Sequence, residues 1–353
     1  MKIRTWPKNS IVWYCGKSWE PWSPKSLDKG IAGSQTAVIY LSKEWAKFGY
    51  KVKVYNNCDS DEGIYDGVEY IDYKKFNKND DLDVLIVWRE MNLDILDDDI
   101  KARKIFFETQ DFPFRKKSFI DRRIGKIDKI FTKSKFHASF FRNISKKKIK
   151  IVPNGIDDKY LKLKNKRNNL RLVYASNYYR GLEQMLKYGW PIIKKEFPKA
   201  ELHVYYGWGH FDAYKKKPEQ RKWKNDMLKL MKELGVVDHR RISQKKLMQE
   251  KSRSSIHYYG CTWPETDCIS VRESALVGCV PVTSNYSAIG EKAYCIRVRG
   301  DPKAKETHEK IAYKIVKLIK NPKKLEKLRK KVSRLAAKDD WKMIAKKWLK
   351  EMQ

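Results

Sequence analysis

Two successive series of short apolar runs, each alternating with helical stretches, constrain the fold of this chain more than any other feature. In the first half, Ile11–Cys15, Lys51–Tyr55, Val84–Trp88, Lys104–Phe107, Ile127–Phe131 and Lys150–Val152 read as strands. Between the first two, Val38, Leu41, Trp45 and Phe48 recur at helical spacing, and Gly49 ends that helix. A second series follows. Leu170–Tyr174, Glu201–Tyr206, Ser254–Tyr259 and Val280–Thr283 read as strands, and Gly181–Phe197, Trp223–Leu234 and Val271–Val277 as helices. Strands that alternate with helices predict parallel sheets, so the chain is expected to be α/β and to contain two such sheets.

Pro153-Asn154-Gly155 is a strong turn signal, and a polar stretch follows it. The predicted division is a first Rossmann-like domain over 1–158, a linker over 159–169 and a second Rossmann-like domain over 170–336. A terminal helix over 337–353 completes it. In that helix Trp341, Ile344, Ala345, Trp348, Leu349 and Met352 form one apolar stripe. Two doubly wound halves are expected to bind ligands at the carboxyl ends of their strands.

Charge is the unusual part of the composition. Lys and Arg number 78 against 43 acidic residues, a formal net charge of +35. Such an excess suits a solvated surface or an anionic partner: nucleic acid, a membrane surface or a phosphorylated substrate. No homeodomain, zinc-finger or RNP-like motif is present, so no specific nucleic acid is expected. The six cysteines form no C-x-x-C pair and read as buried or free thiols of a reducing compartment. The opening Met1–Pro7 lacks an apolar h-region, and no apolar run has the ~20 residues of a membrane span. These features predict a cytoplasmic protein, with peripheral contact to an anionic membrane as an option the charge leaves open.

The densest chemistry lies between Glu265 and Pro281. Glu265 falls in a loop, and Glu273 in the first turn of the expected helix. A helix start offers free N–H groups and a positive dipole end, so the amides of Cys268, Ile269 and Ser270 would suit a diphosphate. Glu273 would either complement the dipole or accept hydrogen bonds from a ribose diol. Glu265 would either sit in solvent or contact a sugar.

The segment Glu265-Thr-Asp-Cys-Ile-Ser-Val-Arg-Glu273-Ser-Ala-Leu-Val-Gly-Cys-Val-Pro-Val resembles the Glu-(seven residues)-Glu signature of retaining GT-B glycosyltransferases, particularly glycosyltransferase family 4 (group 1). The resemblance covers nearly the whole chain and is strongest from Arg171 to Glu291. It implies a GT-B architecture, with two Rossmann-like domains facing each other across a cleft and the C-terminal helix crossing back to the first. It also implies a sugar-nucleotide donor held mainly by the second domain, a glycan or lipid-linked acceptor on the first, and retention.

The resemblance assigns roles residue by residue. Glu265 and Arg180 are the catalytic candidates, Arg180 because a guanidinium binds phosphate oxygens bidentately. Ser176, Cys268, Ile269, Ser270 and Glu273 are the donor-binding candidates of the second domain. Gly30-Ile-Ala-Gly33-Ser34-Gln35 resembles the family's Gly-rich loop and adds Gly33 and Ser34 from the first. Ala32 and Gln35 depart from the usual pattern there. Ala175 stands where relatives often carry a second basic residue. Gln110 and Asp111 are the acceptor-side candidates, with Gln110 in the place of a family His; Gln hydrogen-bonds a hydroxyl but is no base.

No cofactor and no metal are expected. A metal-dependent architecture would use Asp59-Ser-Asp61, Asp81-Leu-Asp83 or Asp97-Asp-Asp99, triplets that arise readily by chance. The competing function is a basic nucleic-acid- or polyanion-binding protein on a GT-B-like scaffold.

Overall fold

A computed structural model describes residues 3–113, 120, 122–163 and 165–353. The chain divides into two compact units. One comprises Met1–Leu27, Ile31–Asp157 and Asp339–Gln353, the other Asp28–Gly30 and Asp158–Lys338. Lys164, within the expected linker, lies outside the described residues, and the first strand of the second unit already begins at Asn168.

The first unit holds an eight-stranded sheet. Its strands are β1 (Ser10–Gly16), β2 (Lys51–Asn56), β3 (Gly63–Tyr65), β4 (Val68–Asp72), β5 (Asp81–Trp88), β6 (Lys101–Glu108), β7 (Lys129–Thr132) and β8 (Ile149–Ile151). Their spatial order is β3-β4-β2-β1-β5-β6-β7-β8. Every neighbouring pair is parallel except β3–β4. That exception is a hairpin closed by Asp66 (φ 51°) and Gly67 (φ 80°). Two left-handed residues in succession give the turn whose twist matches the strands it joins.

The second unit holds six parallel strands: β9 (Asn168–Ala175), β10 (Glu201–Tyr205), β11 (Val237–Asp238), β12 (Ser254–Tyr259), β13 (Val280–Ser284) and β14 (Ile296–Val298). Their order is β11-β10-β9-β12-β13-β14. Every residue of β12 and β13 is buried, the pattern of a sheet covered by helices on both faces. The two sheets establish the expected α/β class.

The first unit is completed by the last helix, Trp341–Met352, as the resemblance implied. Asp340 caps it by accepting the Met343 N–H at 2.7 Å. Trp348 enters the core against Phe131, Trp13, Trp45 and Phe106. Among the described residues, no helix is long and apolar enough to cross a membrane.

Candidate functional site

Chain order in the second sheet fixes where a site belongs. β9 lies between β10 and β12, so the connections leaving β9 and β12 run to opposite sides. In open α/β sheets that switch point, at the carboxyl ends of the strands, is the ligand crevice. Ser176 and Arg180 follow β9, and Glu265 follows β12, whose last residue is Tyr259.

These side chains form one chain of contacts. Arg180 Nη1 donates to Glu265 Oε1 at 2.7 Å, and the Tyr259 hydroxyl donates to the same oxygen at 2.6 Å. Tyr259 Oη lies 3.1 Å from Ser176 Oγ. Burial pushes the Tyr259 phenol well up, so it stays protonated and remains a donor. Glu265 is buried, whereas the Arg180 side chain is 36% exposed. The pair therefore presents its cationic partner outward. Backbone contacts hold both ends. Glu265 N–H donates to Ser287 Oγ (2.8 Å), and Thr262 N–H to the Arg180 carbonyl (3.3 Å). Gly181 has φ 106°, and a Cβ there would come within 2.3 Å of the Gly260 carbonyl oxygen. Only glycine lets the Arg180 loop lie this close to the end of β12.

The helix after Glu265 spans Ile269–Leu276. Its N-cap is Cys268 at φ 69°, a left-handed conformation that non-glycine residues seldom adopt and that is common at functional sites. Cysteine is not among the usual Ser, Thr, Asp or Asn caps. Ser270 Oγ donates to the Ala175 carbonyl at 2.6 Å, which pins the helix start to the end of β9. Asp267 is tied to Lys292 and Arg272 and stiffens the loop from below.

The helix starts two residues earlier than expected. Glu273 therefore lies a full turn in, not in the first turn, where a carboxylate would complement the dipole. Its carboxylate is buried and held on both oxygens. Lys251 Nζ donates to Oε2 at 2.6 Å and Gln244 Nε2 to Oε1 at 3.1 Å. Lys251, Gln244 and Tyr259 carry none of the expected roles, because each reaches the site through space from another element.

The second unit also collects buried and half-buried imidazoles. His257 Nδ1 lies 2.8 Å from Ser274 Oγ beneath the Ile269–Leu276 helix, and His203 Nδ1 lies 2.8 Å from His239 Nε2. Burial lowers the pKa of His203, His239, His257 and His308. A histidine depressed in the folded state is fully compatible with folding above its unfolded pKa of about 6.5. Below that value the unfolded chain takes up protons that the folded chain refuses, so stability falls with pH. The melting temperature of the protein is therefore expected to drop between pH 7 and pH 5. A flat profile over that interval would contradict the buried neutral imidazoles.

The other expected site residues lie in the first unit. Gly33 and Ser34 are the first two residues of the Gly33–Lys47 helix rather than loop residues, and Ser34 Oγ donates to Gln35 Oε1 at 2.8 Å. Gln110 is buried; its Nε2 donates to Glu108 Oε1 (2.6 Å) and to Asn154 Oδ1 (3.2 Å). Glu108 also pairs with the buried Lys133, and burial pushes its carboxyl up despite that neighbour. Asp111 makes a two-point ion pair with Arg89, whose Nη2 donates to Oδ1 at 2.8 Å. The acidic triplets are engaged by basic side chains: Asp61 by Lys25, Asp83 by Arg103, and Asp97 by Arg122 and Arg123. All six cysteines are free thiols, and burial pushes Cys261, Cys279 and Cys295 up to about 12.

No protein-family model and no curated protein sequence matches the chain. Solved structures do. Sucrose-phosphate synthase from Thermosynechococcus elongatus superposes with a TM-score of 0.70 at 13% identity, over 97% of both chains. HepE of Anabaena in complex with UDP-glucose gives a TM-score of 0.72 at 11% identity, over 97% of this chain and 98% of that one. A glycosyltransferase from Rickettsia africae gives 0.69 at 10% identity, over 98% of both. The fold is GT-B. At these identities the likeness speaks for the fold alone, and what this GT-B chain does rests on its own side chains. Within the GT-B fold, Ser176, Arg180, Glu265, Cys268, Ile269, Ser270 and Glu273 all fall at the β9/β12 switch point of the second unit.

Proposed function

We propose that this protein is a glycosyltransferase that moves a sugar from a nucleotide diphosphate donor to a glycan or lipid-linked acceptor, with retention and without a metal ion. One observation carries the proposal. Arg180, Glu265 and the start of the Ile269–Leu276 helix converge at the carboxyl ends of β9 and β12. A guanidinium and a set of backbone amides suit a diphosphate, and they stabilise the charge that grows on it as it leaves. Glu265 then orients the transferred sugar, and Glu273 accepts hydrogen bonds from the ribose diol. UDP-sugars come first among the donors to try, because HepE, similar in fold, is in complex with UDP-glucose. The convergence of Arg180, Glu265 and the helix start in one crevice favours this function over polyanion binding, which needs only diffuse surface charge. For Gln110 and Asp111, in the first unit, we propose a place on the acceptor side. The strong positive charge is proposed to draw an anionic acceptor or membrane surface.

The test is a thermal-shift screen against UDP, GDP, ADP and their sugar conjugates, with and without EDTA. A ligand that binds only the folded state at 100-fold over its Kd adds about 2.7 kcal/mol of stability. The expected result is stabilisation by one nucleotide class, unchanged by EDTA. Stabilisation that EDTA removes would overturn the metal-free mechanism, and a folded protein indifferent to every nucleotide would overturn the donor site.

A further inference from the structure

Lys251 sits on the Gln244–Arg253 helix, and its side chain is completely buried. An ammonium has three N–H donors and no acceptor, so burying one requires three oxygens around it. Lys251 finds them in one place: Ser270 O at 3.0 Å, Ser270 Oγ at 3.1 Å and Glu273 Oε2 at 2.6 Å. Ser270 Oγ spends its own proton on the Ala175 carbonyl, so toward Lys251 it acts as an acceptor. One ammonium thus joins the end of β9, the first turn of the Ile269–Leu276 helix and the carboxylate of Glu273.

The consequence for Glu273 is geometric. A carboxylate one turn into a helix has several rotamers, and each places its oxygens differently. Lys251 holds Oε2 and Gln244 holds Oε1, which fixes the plane of the group. An ionised carboxylate has about four acceptor positions, so both oxygens keep capacity for two further donors in a defined direction. A vicinal diol supplies two such donors at matching separation. Hydrogen-bonding sites discriminate strongly against a ligand lacking the group they were built for, because the buried acceptor is then left unpaired.

We propose that Lys251 is a positioning residue for the nucleoside end of the donor, setting the orientation in which Glu273 recognises the ribose 2′- and 3′-hydroxyls. This rests on the donor site proposed above. Lys251 does not touch the substrate itself; it acts through Glu273 and through the seat of Ser270. Its loss is therefore expected to remove ribose discrimination while leaving the chemical step nearly intact.

The experiment measures the Kd of UDP, GDP and ADP and of their 2′-deoxy counterparts for the wild type, Lys251→Met, Lys251→Gln and Lys251→Arg. Steady-state constants for the transferred donor and melting curves accompany it. The wild type is expected to prefer the ribo form of its nucleotide by about tenfold or more. Lys251→Met should bring that ratio close to one and raise KM, with kcat changed by less than about threefold. Lys251→Arg, which keeps the charge, should restore part of the preference. If Lys251→Met fails to fold, Lys251→Gln takes its place, because an amide still bonds Ser270 without the ion pair. A folded variant that lacks the ammonium yet keeps the wild-type ratio, with only its melting temperature lowered, would make Lys251 purely structural and overturn the proposal. A wild type that binds a nucleotide without any ribo preference would overturn it too, but would leave the donor site standing. A wild type that binds none of the nucleotides would bring down the donor site itself.

Discussion

Truncation after Lys338 is expected to abolish the cooperative unfolding transition of the first unit. The removed segment is not an appendage. Trp348 stacks on Phe131 with ring centroids 3.4 Å apart and 7° between planes, and meets Trp45 edge-on at 5.6 Å. Trp341 stacks on Tyr40 at 5.9 Å and 1°. It also covers Gly155, where an added Cβ would fall 2.7 Å from the indole. The backbone joins as well: Ile156 N–H donates to Asp339 O and Trp341 N–H to Ile156 O, each at 3.1 Å. Without the helix, Trp13, Trp45, Phe106 and Phe131 lose a shared partner. Aromatic side chains bury large areas, and a Trp→Ala change in a core costs about 3–5 kcal/mol. That approaches the whole stability of many domains. Trp348→Ala alone should thus lower the midpoint of urea unfolding sharply. A truncated chain that melts like the full one would refute this account of the first unit.

The second large effect concerns Arg180. Replacing it with Ala removes the outward-facing cation of the proposed donor site and leaves buried Glu265 with the Tyr259 hydroxyl as its remaining side-chain donor among the described residues. Removing one preorganised donor from the site of developing charge costs roughly 10²–10³-fold in kcat. Arg180→Ala is expected to lose at least that much, measured in multiple-turnover kinetics, with a smaller change in KM. Arg180→Lys should recover only part of it, because an ammonium is a point charge where the guanidinium is a planar fork. Glu265→Gln should be impaired as well, since an amide oxygen can still accept from Arg180 and Tyr259 but carries no charge to balance the guanidinium. An Arg180→Ala enzyme with wild-type kcat would move the leaving-group chemistry elsewhere.

Much of this was legible from local signals. Strands such as Ser254–Tyr259 and helices such as the one ended by Gly49 announce themselves by apolar runs and stop residues. The loop that carries Glu265 and the helix that carries Glu273 were visible as one motif. What was not legible is long-range or very short. The β3–β4 hairpin has a signal, Asp66-Gly67, but β3 has only three residues, too few to show an alternation. β11 and β14 have two and three residues. The helix bound at Glu273 moved by two residues because Cys268 starts it from a left-handed conformation that no propensity anticipates. Lys251 lies 22 positions from Glu273, on the separate Gln244–Arg253 helix. Its complete burial follows from the packing of two helices, which pattern alone does not encode. Asp111 is an acceptor-side candidate in the sequence, which does not show that Arg89, at φ 65° beyond the end of β5, turns back to pair with it.

The central claim is that the second unit binds a sugar nucleotide and cleaves its bond to the diphosphate. Water can serve as a slow acceptor, so donor hydrolysis tests this without knowledge of the natural acceptor. The measurement is proton NMR of the purified protein with UDP-glucose and the other common sugar nucleotides, following nucleotide release and the first-formed anomer of the free sugar. The account predicts slow release of the nucleotide from one donor, an initial anomer that matches the donor, and a fall of about 10²-fold or more in Arg180→Ala. Equal release by wild type and Arg180→Ala, or an inverted first anomer, would contradict it.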